Sequence, residues 1–395
     1  MLPELSHGKT TWASPGLLQD DEESLLKFVA DQSKAAQRTL FTTQPAWCSF
    51  EGVTCGSIPG TPSFASVLEI NLRSKGLSGT LPNSIGNFGS LTLLDVQSNS
   101  IHSTIPSSVG QLTSLKYLHL FSNSLSGSIP STVSALTNLE QLHLNSNSLT
   151  GTIPTDIGAL KSLKQLYLQS NQLTGAIPTS IELLTSVVEV QLSSNSLTGS
   201  IPSNIGALVA LERLHLNSNE LTGSIPASIT SLISLQELNL FYNSLTGSIP
   251  ENIGAMKSLK QLYLFSNQLE GSIPSSVCSM KSLQRLYLQS NQLSGLVPAC
   301  IETSLSLSKL ILDNNFSRAS VQPQQSVVVL DASVPNTGDV SYDALYSSEM
   351  SVAGEDIAMD MFGSNSTASY DQSASVAPFS QATYDYLISR ESRMA

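Results

Sequence analysis

The chain has 395 residues and a formal net charge of −12, from 18 basic and 30 acidic side chains. This acidic balance argues against nucleic-acid binding and against a polybasic membrane-surface protein, because both need clustered basic residues. No apolar run reaches the ~18 residues of a membrane-spanning helix. The stretch from Met1 to Asp20 lacks the apolar centre of a secretory signal. The chain is therefore predicted to be cytosolic or to lack its natural N-terminus.

A 24-residue repeat runs through most of the chain. Its clearest mark is an Asn that recurs at every step from Asn99 to Asn315. The surrounding frame reads LxxLxLxxNxLxGxIP, and one clean copy runs from Leu163 to Pro178. The proline of this frame occurs ten times, from Pro82 to Pro298. So many copies in phase exclude chance and predict an array of stacked repeats.

The residues of the frame predict how each repeat folds. The two Leu of LxL fall on one face of a short strand, and stacked neighbours bury that face in a shared interior. The Asn turns the chain, and its buried amide needs backbone partners from adjacent coils. The Gly permits a positive φ or close backbone approach. The residues after the Pro, such as Ser203 to Leu211, are predicted to form a helical turn.

This frame resembles the plant-type leucine-rich repeat family over about residues 20–316. The resemblance implies an α/β solenoid: a right-handed superhelix with a parallel concave β-sheet, short helical turns on the convex side and an N-terminal helical cap. Receptor-like proteins, receptor-like kinase ectodomains and polygalacturonase-inhibiting proteins carry similar arrays. One departure is consistent: Ser stands one place before the Asn, as at Ser98 and Ser170, where plant arrays usually carry it two places before.

Four regions are expected along the chain. Residues 1–19 form a disordered arm, residues 20–60 resemble the N-terminal cap, and residues 61–316 form the repeat array. Residues 317–395 form an acidic, mostly disordered tail with ten acidic residues and three Arg. A short final strand is expected within it at Val327 to Leu330.

The four cysteines bear on the compartment. The resemblance implies a disulfide between Cys48 and Cys55 in the cap, with two reduced buried thiols as the alternative. Cys278 and Cys300 fall in neighbouring coils, where a disulfide and two free thiols are both open. Because disulfides persist in oxidising compartments, we expect an extracellular or cell-surface location, with a cytoplasmic one as the alternative.

Two sequons for N-glycosylation occur in the sequence, at Asn315 and Asn365. Asn315 is expected to fill the last Asn position of the array. Asn365 is therefore the favoured glycosylation site if the chain is secreted.

Residues for catalysis or cofactor binding are not evident. No nucleophile or acid–base constellation is present, so the chain is predicted not to be an enzyme and to need no cofactor. His119 and His143 occupy the same column of adjacent strands, about 5 Å apart by strand spacing. A metal site would need a third ligand close to these two histidines. A solvated polar surface is therefore the preferred interpretation, and no metal site is predicted.

The strand residues that face away from the core are the candidate binding site. We expect them on the concave face, and they include two groups of large side chains. The N-terminal patch comprises Tyr117, His119, Phe121, His143 and Tyr167. The C-terminal patch comprises Phe241, Tyr242, Tyr263, Phe265 and Tyr287, with Arg285 nearby. A polar stretch around Gln191 and Ser193 separates them. Clustered exposed aromatics favour an interaction site, and rings that merely pack across strands are the alternative.

The function predicted from these features is recognition without catalysis. The concave face would bind a protein, peptide or glycan in cell-surface signalling or defence, with a co-receptor as a further partner and no nucleic acid. Inhibition of a secreted cell-wall hydrolase is the alternative, although the cysteine-paired C-terminal cap of such inhibitors is missing. A structural or ice-binding protein is a minor alternative, because the convex side shows no regular Thr series.

Overall fold

The fold was analysed in a computed structural model, which describes residues 52–58, 61–303, 307–312 and 316–317. A parallel sheet follows the repeat from end to end, and its first two strands form an antiparallel hairpin. We call it the main sheet. Its twelve strands are Val53–Ile58, Thr61–Asn71, Leu93–Asp95, Tyr117–His119, Gln141–His143, Gln165–Tyr167, Glu189–Gln191, Arg213–His215, Glu237–Asn239, Gln261–Tyr263, Arg285–Tyr287 and Lys309–Ile311.

Neighbouring strands of the repeat pair in frame with the sequence. Leu166, for example, lies opposite Leu142 on one side and Val190 on the other. The middle residue of each strand points into the interior, where the Leu columns are buried and form one continuous apolar core. The predicted solenoid of stacked coils is confirmed.

The hairpin at the start of the main sheet was not predicted from the repeat. Val53–Ile58 pairs antiparallel with Thr61–Asn71, across the boundary expected between cap and array. It covers the first strand edge, which would otherwise present unpaired N–H and C=O groups. Such terminal capping is what a stack of identical coils needs.

A second series of short strands follows the Asn of each repeat. Its members are Ser78–Gly79, Ser100–Thr104, Ser124–Ser128, Ser148–Thr150, Thr174–Ala176, Ser196–Gly199, Glu220–Ser224, Ser244–Thr246, Glu270–Gly271, Gln292–Leu293, Gly295–Leu296 and Phe316–Ser317. These strands pair out of frame with the repeat, so that Ser128 lies opposite Thr150 instead of its repeat equivalent Thr152. The repeat Gly within them has positive φ, as predicted, for example 73° at Gly175.

One turn of 3₁₀-helix follows the proline in nine repeats. These turns are Asn83–Asn87, Ser107–Gln111, Ser131–Ala135, Ile157–Ala159, Thr179–Leu183, Ile205–Ala207, Ala227–Ser231, Ile253–Ala255 and Ser275–Ser279, and an α-helix, Ala299–Thr303, occupies this place in the next repeat. In six of the turns the proline is the residue before the helix, with extended geometry such as φ −66° and ψ 138° at Pro178. The helical turn expected between Ser203 and Leu211 is therefore confirmed.

The repeat Asn side chains bridge adjacent coils as predicted. Asn195 donates to the carbonyls of Leu168 at 3.0 Å and Leu192 at 3.1 Å, and its Oδ1 accepts from the N–H of Leu173 at 3.0 Å. The same arrangement recurs from Asn99 to Asn291. Each Asn thus satisfies buried backbone groups of two coils at once.

The Ser before the Asn has a defined conformational role. It takes a left-handed backbone in coil after coil, with φ of 55° at Ser98 and 57° at Ser170. Non-glycine residues seldom occupy this region, and short polar residues tolerate it best. Tyr242 stands at the equivalent place with φ 51°. A bulky side chain here is unusual and indicates a local constraint.

The structure shows which of the described cysteines are disulfide-bonded. Cys278 and Cys300 form a disulfide with Cα atoms 5.5 Å apart, joining a 3₁₀ turn to the α-helix of the next repeat. Cys55 is disulfide-bonded, while its expected partner Cys48 lies outside the described residues. The arm, most of the cap, the Val327 to Leu330 strand, Asn315 and Asn365 also lie outside them.

Candidate functional site

The candidate site is the face of the main sheet turned away from the core, which we call the open face. Each three-residue strand contributes its first and third residues, and the residue two places after the strand's end also belongs to this face. In the strand Tyr117–His119 these are Tyr117, His119 and Phe121. The third residue of one strand repeatedly bonds the first residue of the next strand. His119 bonds Gln141 at 2.8 Å, and His143 bonds Gln165 at 3.1 Å. These diagonal bonds fix the outward side chains in place.

The N-terminal patch is a row of stacked rings, and His119 and His143 lie in adjacent positions of one column, as their 24-residue spacing predicted. His119 and His143 stack with centroids 4.6 Å apart, and His143 stacks on Tyr167 at 4.3 Å. Phe121 and Tyr117 lie at the edges of this row, 6.1 Å from His143 and 6.2 Å from His119. All five residues are half-buried. Their outer edges stay accessible to a ligand.

Burial sets the protonation state at the centre of this row. Desolvation is the main cause that lowers the pKa of His143 to about 3, and the neighbouring His119 is the second. The hydrogen bond with Gln165 has a smaller effect in the opposite direction. The imidazole of His143 is therefore neutral at neutral pH. It provides an aromatic face and one hydrogen-bond donor rather than a positive charge.

An ionic cluster occupies the middle of the open face. The guanidinium of Arg213 lies 2.7 Å from Glu189 and 3.6 Å from Glu237. His215 adds a 3.1 Å contact to Glu237, and Tyr167 donates to Glu189. Although burial of Glu237 opposes its ionisation, the contacts with His215 and Arg213 outweigh it and lower its pKa. Arg213 keeps 34% of its side chain exposed and can reach a ligand.

This cluster was not predicted from the sequence. Of the column six places before the repeat Asn, Tyr117 and Arg285 were named as candidates, whereas Glu189, Arg213 and Glu237 in the same column were not. The signal was available, because three charges of alternating sign recur at the repeat spacing on facing strands.

The C-terminal patch is a second set of stacked rings. Phe241 stacks on Phe265 at 4.5 Å, and Tyr263 stacks on Tyr287 at 4.6 Å. Tyr242 meets both Phe rings edge-on, at 5.6 Å from Phe241 and 5.3 Å from Phe265. Arg285 donates to the Tyr263 hydroxyl at 3.4 Å. Burial raises the pKa of Tyr263 to about 12, so its hydroxyl remains protonated.

The expectation of exposed aromatics is wrong for three members of this patch. Phe241, Tyr263 and Phe265 are only 6%, 8% and 8% exposed. The cause is packing across strands, since each ring covers the face of the next. These rings pack on the open-face side and do not belong to the Leu core. The patch therefore presents ring edges and a hydroxyl instead of broad apolar faces.

Side-chain amides in the coils of the two patches have unused acceptors. Asn145 Oδ1 and Gln169 Oε1 are buried without a hydrogen-bond partner, and so are Asn239 Oδ1 and Gln289 Oε1 on the same face. Gln169 is only 1% exposed. Buried polar atoms are normally paired, so these oxygens are sites where a donor from a ligand would be favourable.

Among the described residues, no group of three His, Cys, Asp or Glu side chains is arranged to hold a metal ion. Within the same residues, no helix is long and apolar enough to cross a membrane.

A second surface, on the strands after each Asn, was also missed. Its first column carries Thr150, Thr174, Thr198, Thr222 and Thr246, and its second carries Ser128, Thr152, Ala176, Ser200, Ser224 and Ser248; all are exposed. We call these eleven residues the hydroxyl face. The prediction from the sequence concerned a Thr series on the convex side alone, although these five Thr recur at 24-residue spacing in the sequence.

Comparisons with known proteins agree with this architecture. The Leucine-rich repeat region family matches residues 69–176, and two further leucine-rich repeat families match residues 209–269 and residues 186–208 and 282–304. A search of curated proteins finds no match.

Many solved structures share the fold. The ectodomain of the Arabidopsis thaliana receptor kinase GASSHO1/SCHENGEN3, in complex with CASPARIAN STRIP INTEGRITY FACTOR 2, is 36% identical over 77% of this chain, with a TM-score of 0.72. The plant peptide hormone receptor RGFR1, in complex with RGF2, is 38% identical over 63%, with a TM-score of 0.59. The chain spans only 36% and 39% of those two proteins.

A third similar structure is a plant ice-binding protein. It is 25% identical over 78% of this chain and has a TM-score of 0.61, and the match covers 99% of that protein. The coil geometry, the family matches and these structures agree. The chain belongs to the leucine-rich repeat family, with a repeat of the plant type.

Proposed function

We propose that the chain is a non-enzymatic recognition module whose open face binds a peptide or protein ligand. The observation that carries this proposal is the continuous row of fixed side chains on parallel strands ~4.8 Å apart. Two ring patches flank an ionic centre along this row, so an extended ligand would meet chemically different positions in sequence. Two of the similar structures are plant receptors in complex with their factor or hormone.

The orphan acceptors add a reason to favour a peptide. A peptide backbone carries one N–H donor per residue, apart from proline. Donors laid across the N-terminal patch would pair with Asn145 Oδ1 and Gln169 Oε1, which have no partner. Tyr, Phe and Arg at the two ends are the usual anchors of protein interfaces.

An extracellular or cell-surface location follows as part of the same proposal. GASSHO1/SCHENGEN3 is a membrane receptor kinase, and its matching region is the ectodomain. We further propose a co-receptor as a second partner. The Cys48–Cys55 disulfide and glycosylation at Asn365 remain predictions from the sequence.

The proposal is tested by selecting displayed random-sequence peptides on the full chain and measuring their affinity by calorimetry. Replacing Phe241, Tyr263 and Phe265 with Ala should abolish binding of the selected peptides. The matched control replaces three exposed apolar residues elsewhere, Leu183, Val209 and Ile233, with Ser. Because the three rings are buried, Arg213→Gln serves as a milder variant, and circular dichroism checks folding.

Unchanged affinity in both open-face variants would remove the open face as the site. If peptides fail to bind while immobilised oligosaccharides bind and lose affinity in the same variants, the ligand is a glycan.

A second candidate function is binding to ice. Two observations favour it: the similarity to a plant ice-binding protein over 99% of that protein, and the regular hydroxyl face. The test is to measure thermal hysteresis and inhibition of ice recrystallisation by the full chain. Freezing behaviour equal to that of albumin at the same concentration would exclude this function.

A further inference from the structure

We infer that the hydroxyl face is the surface that contacts ice, as a rigid two-column array of hydroxyl and methyl groups. This inference rests on the second candidate function and assigns the residues that would carry it. The ligand is the ordered water of an ice crystal.

The backbone pairing sets two spacings between neighbouring residues of the two columns. Ser128 lies opposite Thr150, Ala176 opposite Thr198, and Ser224 opposite Thr246. Paired strands are ~4.8 Å apart, and residues two apart along a strand are separated by about 6.6 Å. Oxygen atoms in hexagonal ice repeat at distances of similar size in two directions. A hydroxyl array of this kind can therefore hold water in positions that continue the lattice.

The backbone is most uniform where the hydroxyl face lies. The Gly between the two columns has φ of 71° at Gly127, 74° at Gly151, 73° at Gly199 and 71° at Gly247. Outside this stretch the equivalent Gly departs from these values, with 122° at Gly79 and 93° at Gly295. The regular part of the array is thus the part that carries the hydroxyl face.

Packing explains the second column but not the first. A Cβ placed on Gly199 would lie 3.3 Å from the Cβ of Ala176, so the second column needs small residues. In the neighbouring coil, the atoms within 4 Å of a Cβ placed on Gly151, Gly199 or Gly247 all belong to the second column and none to the Thr column. His102 and Glu270 stand in the same column at its two ends, so other side chains fit there. The run of five Thr is therefore not a requirement of packing.

The hydroxyls of this surface are left for solvent. Within the described part of the chain, Thr174 donates to the carbonyl of Gly151 at 3.3 Å, and the other hydroxyls of the face form no hydrogen bond with protein. Hydroxyls on the convex side behave differently. Thr132 donates to Ser107 at 2.6 Å, and Ser228 donates to Ser203 at 2.7 Å, each to a carbonyl of the preceding coil.

Charge also marks the extent of the surface. All eleven residues of the hydroxyl face are uncharged, and Glu270 ends the Thr column on one side. Ionic groups hold their own hydration shell and oppose the transfer of water into a lattice. The eleven residues form an uncharged strip that suits a periodic solid ligand, with one exposed carboxylate, Glu220, beside it and opposite Thr198.

The experiment compares the full chain with two double variants at equal concentration. Thr198→Lys with Thr222→Lys places two ammonium groups in the middle of the hydroxyl face. Thr137→Lys with Thr185→Lys adds the same charge at exposed threonines after the convex turns. Because Glu270 is accepted in the same column as Thr198 and Thr222, both variants should fold, and circular dichroism with thermal unfolding checks this.

The inference predicts that thermal hysteresis is lost in the hydroxyl-face variant and retained in the convex variant. Equal activity in the two variants, or equal loss, would overturn the assignment of the site while leaving ice binding in place. An inactive wild-type chain would overturn the second candidate function and this inference together.

Discussion

The open face and the hydroxyl face come from the same repeat but use it differently. On the main sheet, strands pair in frame with the repeat, so equivalent positions lie side by side, as Leu166 lies beside Val190. On the second series they pair out of frame, so Ser224 lies beside Thr246. The open face carries a different side chain in almost every coil, and these side chains bond each other. The hydroxyl face carries nearly the same side chain in each coil, and among the described residues most of these hydroxyls form no hydrogen bond with protein.

This difference shows how one scaffold can support two kinds of recognition. A surface that varies from coil to coil can distinguish one macromolecule from another, because each coil adds a separate contact. A surface that repeats cannot make such distinctions, but it matches a ligand that is itself periodic. Substitutions should therefore be able to impair one face while leaving the other intact, unless they disrupt the coils that both faces share.

Replacing Asn195 with Ala should damage both faces at once. Its amide bonds backbone groups of adjacent coils, so its removal leaves buried groups unpaired and should lower the free energy of unfolding by about 4 kcal/mol. Urea unfolding measures the change. The control is Asn252→Ala, an exposed Asn without a side-chain capping bond. A loss no larger than that of the control would show that the Asn bridges do not hold the coils together.

Removing the Cys278–Cys300 disulfide should affect the end of the array and spare the hydroxyl face. The bond closes a loop with a sequence separation of 22, and replacing both residues with Ser should cost about 3 kcal/mol. Because repeats contact only their neighbours, hydrogen exchange should rise chiefly in the last coils. Exchange that rises equally around Thr150 and Thr174 would contradict this local picture.

Acid should weaken the open face through His143. The folded-state pKa of about 3 lies below the ordinary value of 6.5, so the unfolded chain binds the extra proton first. The stabilisation is complete above pH 6.5 and is lost as the pH falls towards 3, by at most about 1.4 kcal/mol per pH unit. His143→Gln should flatten the pH dependence of unfolding over that window. Identical slopes in wild type and variant would show that the imidazole is not held neutral by burial.

Gly199→Ala should disturb the hydroxyl face alone, and by the smallest amount. A residue at φ 73° with its Cβ 3.3 Å from Ala176 is strained, at a cost of about 1 kcal/mol. Ice activity should fall while peptide affinity at the open face stays unchanged. Gly89→Ala is the control, because no atom lies within 4 Å of the added Cβ. Equal effects of the two substitutions on ice activity would show that backbone uniformity is unimportant there.

Much of the scaffold was predictable from the sequence because each frame position has one physical task. Leu166 and Leu168 alternate with polar residues and are buried, Asn171 bridges coils, and Gly175 takes positive φ. The hairpin at Val53–Ile58 was not predictable from the frame, since it lies outside the repeat.

The details of the two faces were harder to predict. The repeat spacing placed Phe241 and Phe265 in one column. It did not predict that the two rings stack and that each is less than a tenth exposed. Side-chain conformation decides such stacking, and the repeat does not encode it. The out-of-frame pairing that places Ser128 beside Thr150 was also not predictable, because the repeat frame alone aligns Ser128 with Thr152.

The most direct test of the central claim is the calorimetric affinity of peptides selected on the wild-type chain, measured against one variant of each face. The account predicts that binding is lost with Phe241→Ala, Tyr263→Ala and Phe265→Ala combined, and kept with Thr198→Lys and Thr222→Lys combined. Equal affinity for both variants, or loss with the Lys variant alone, would contradict the assignment of ligand recognition to the open face.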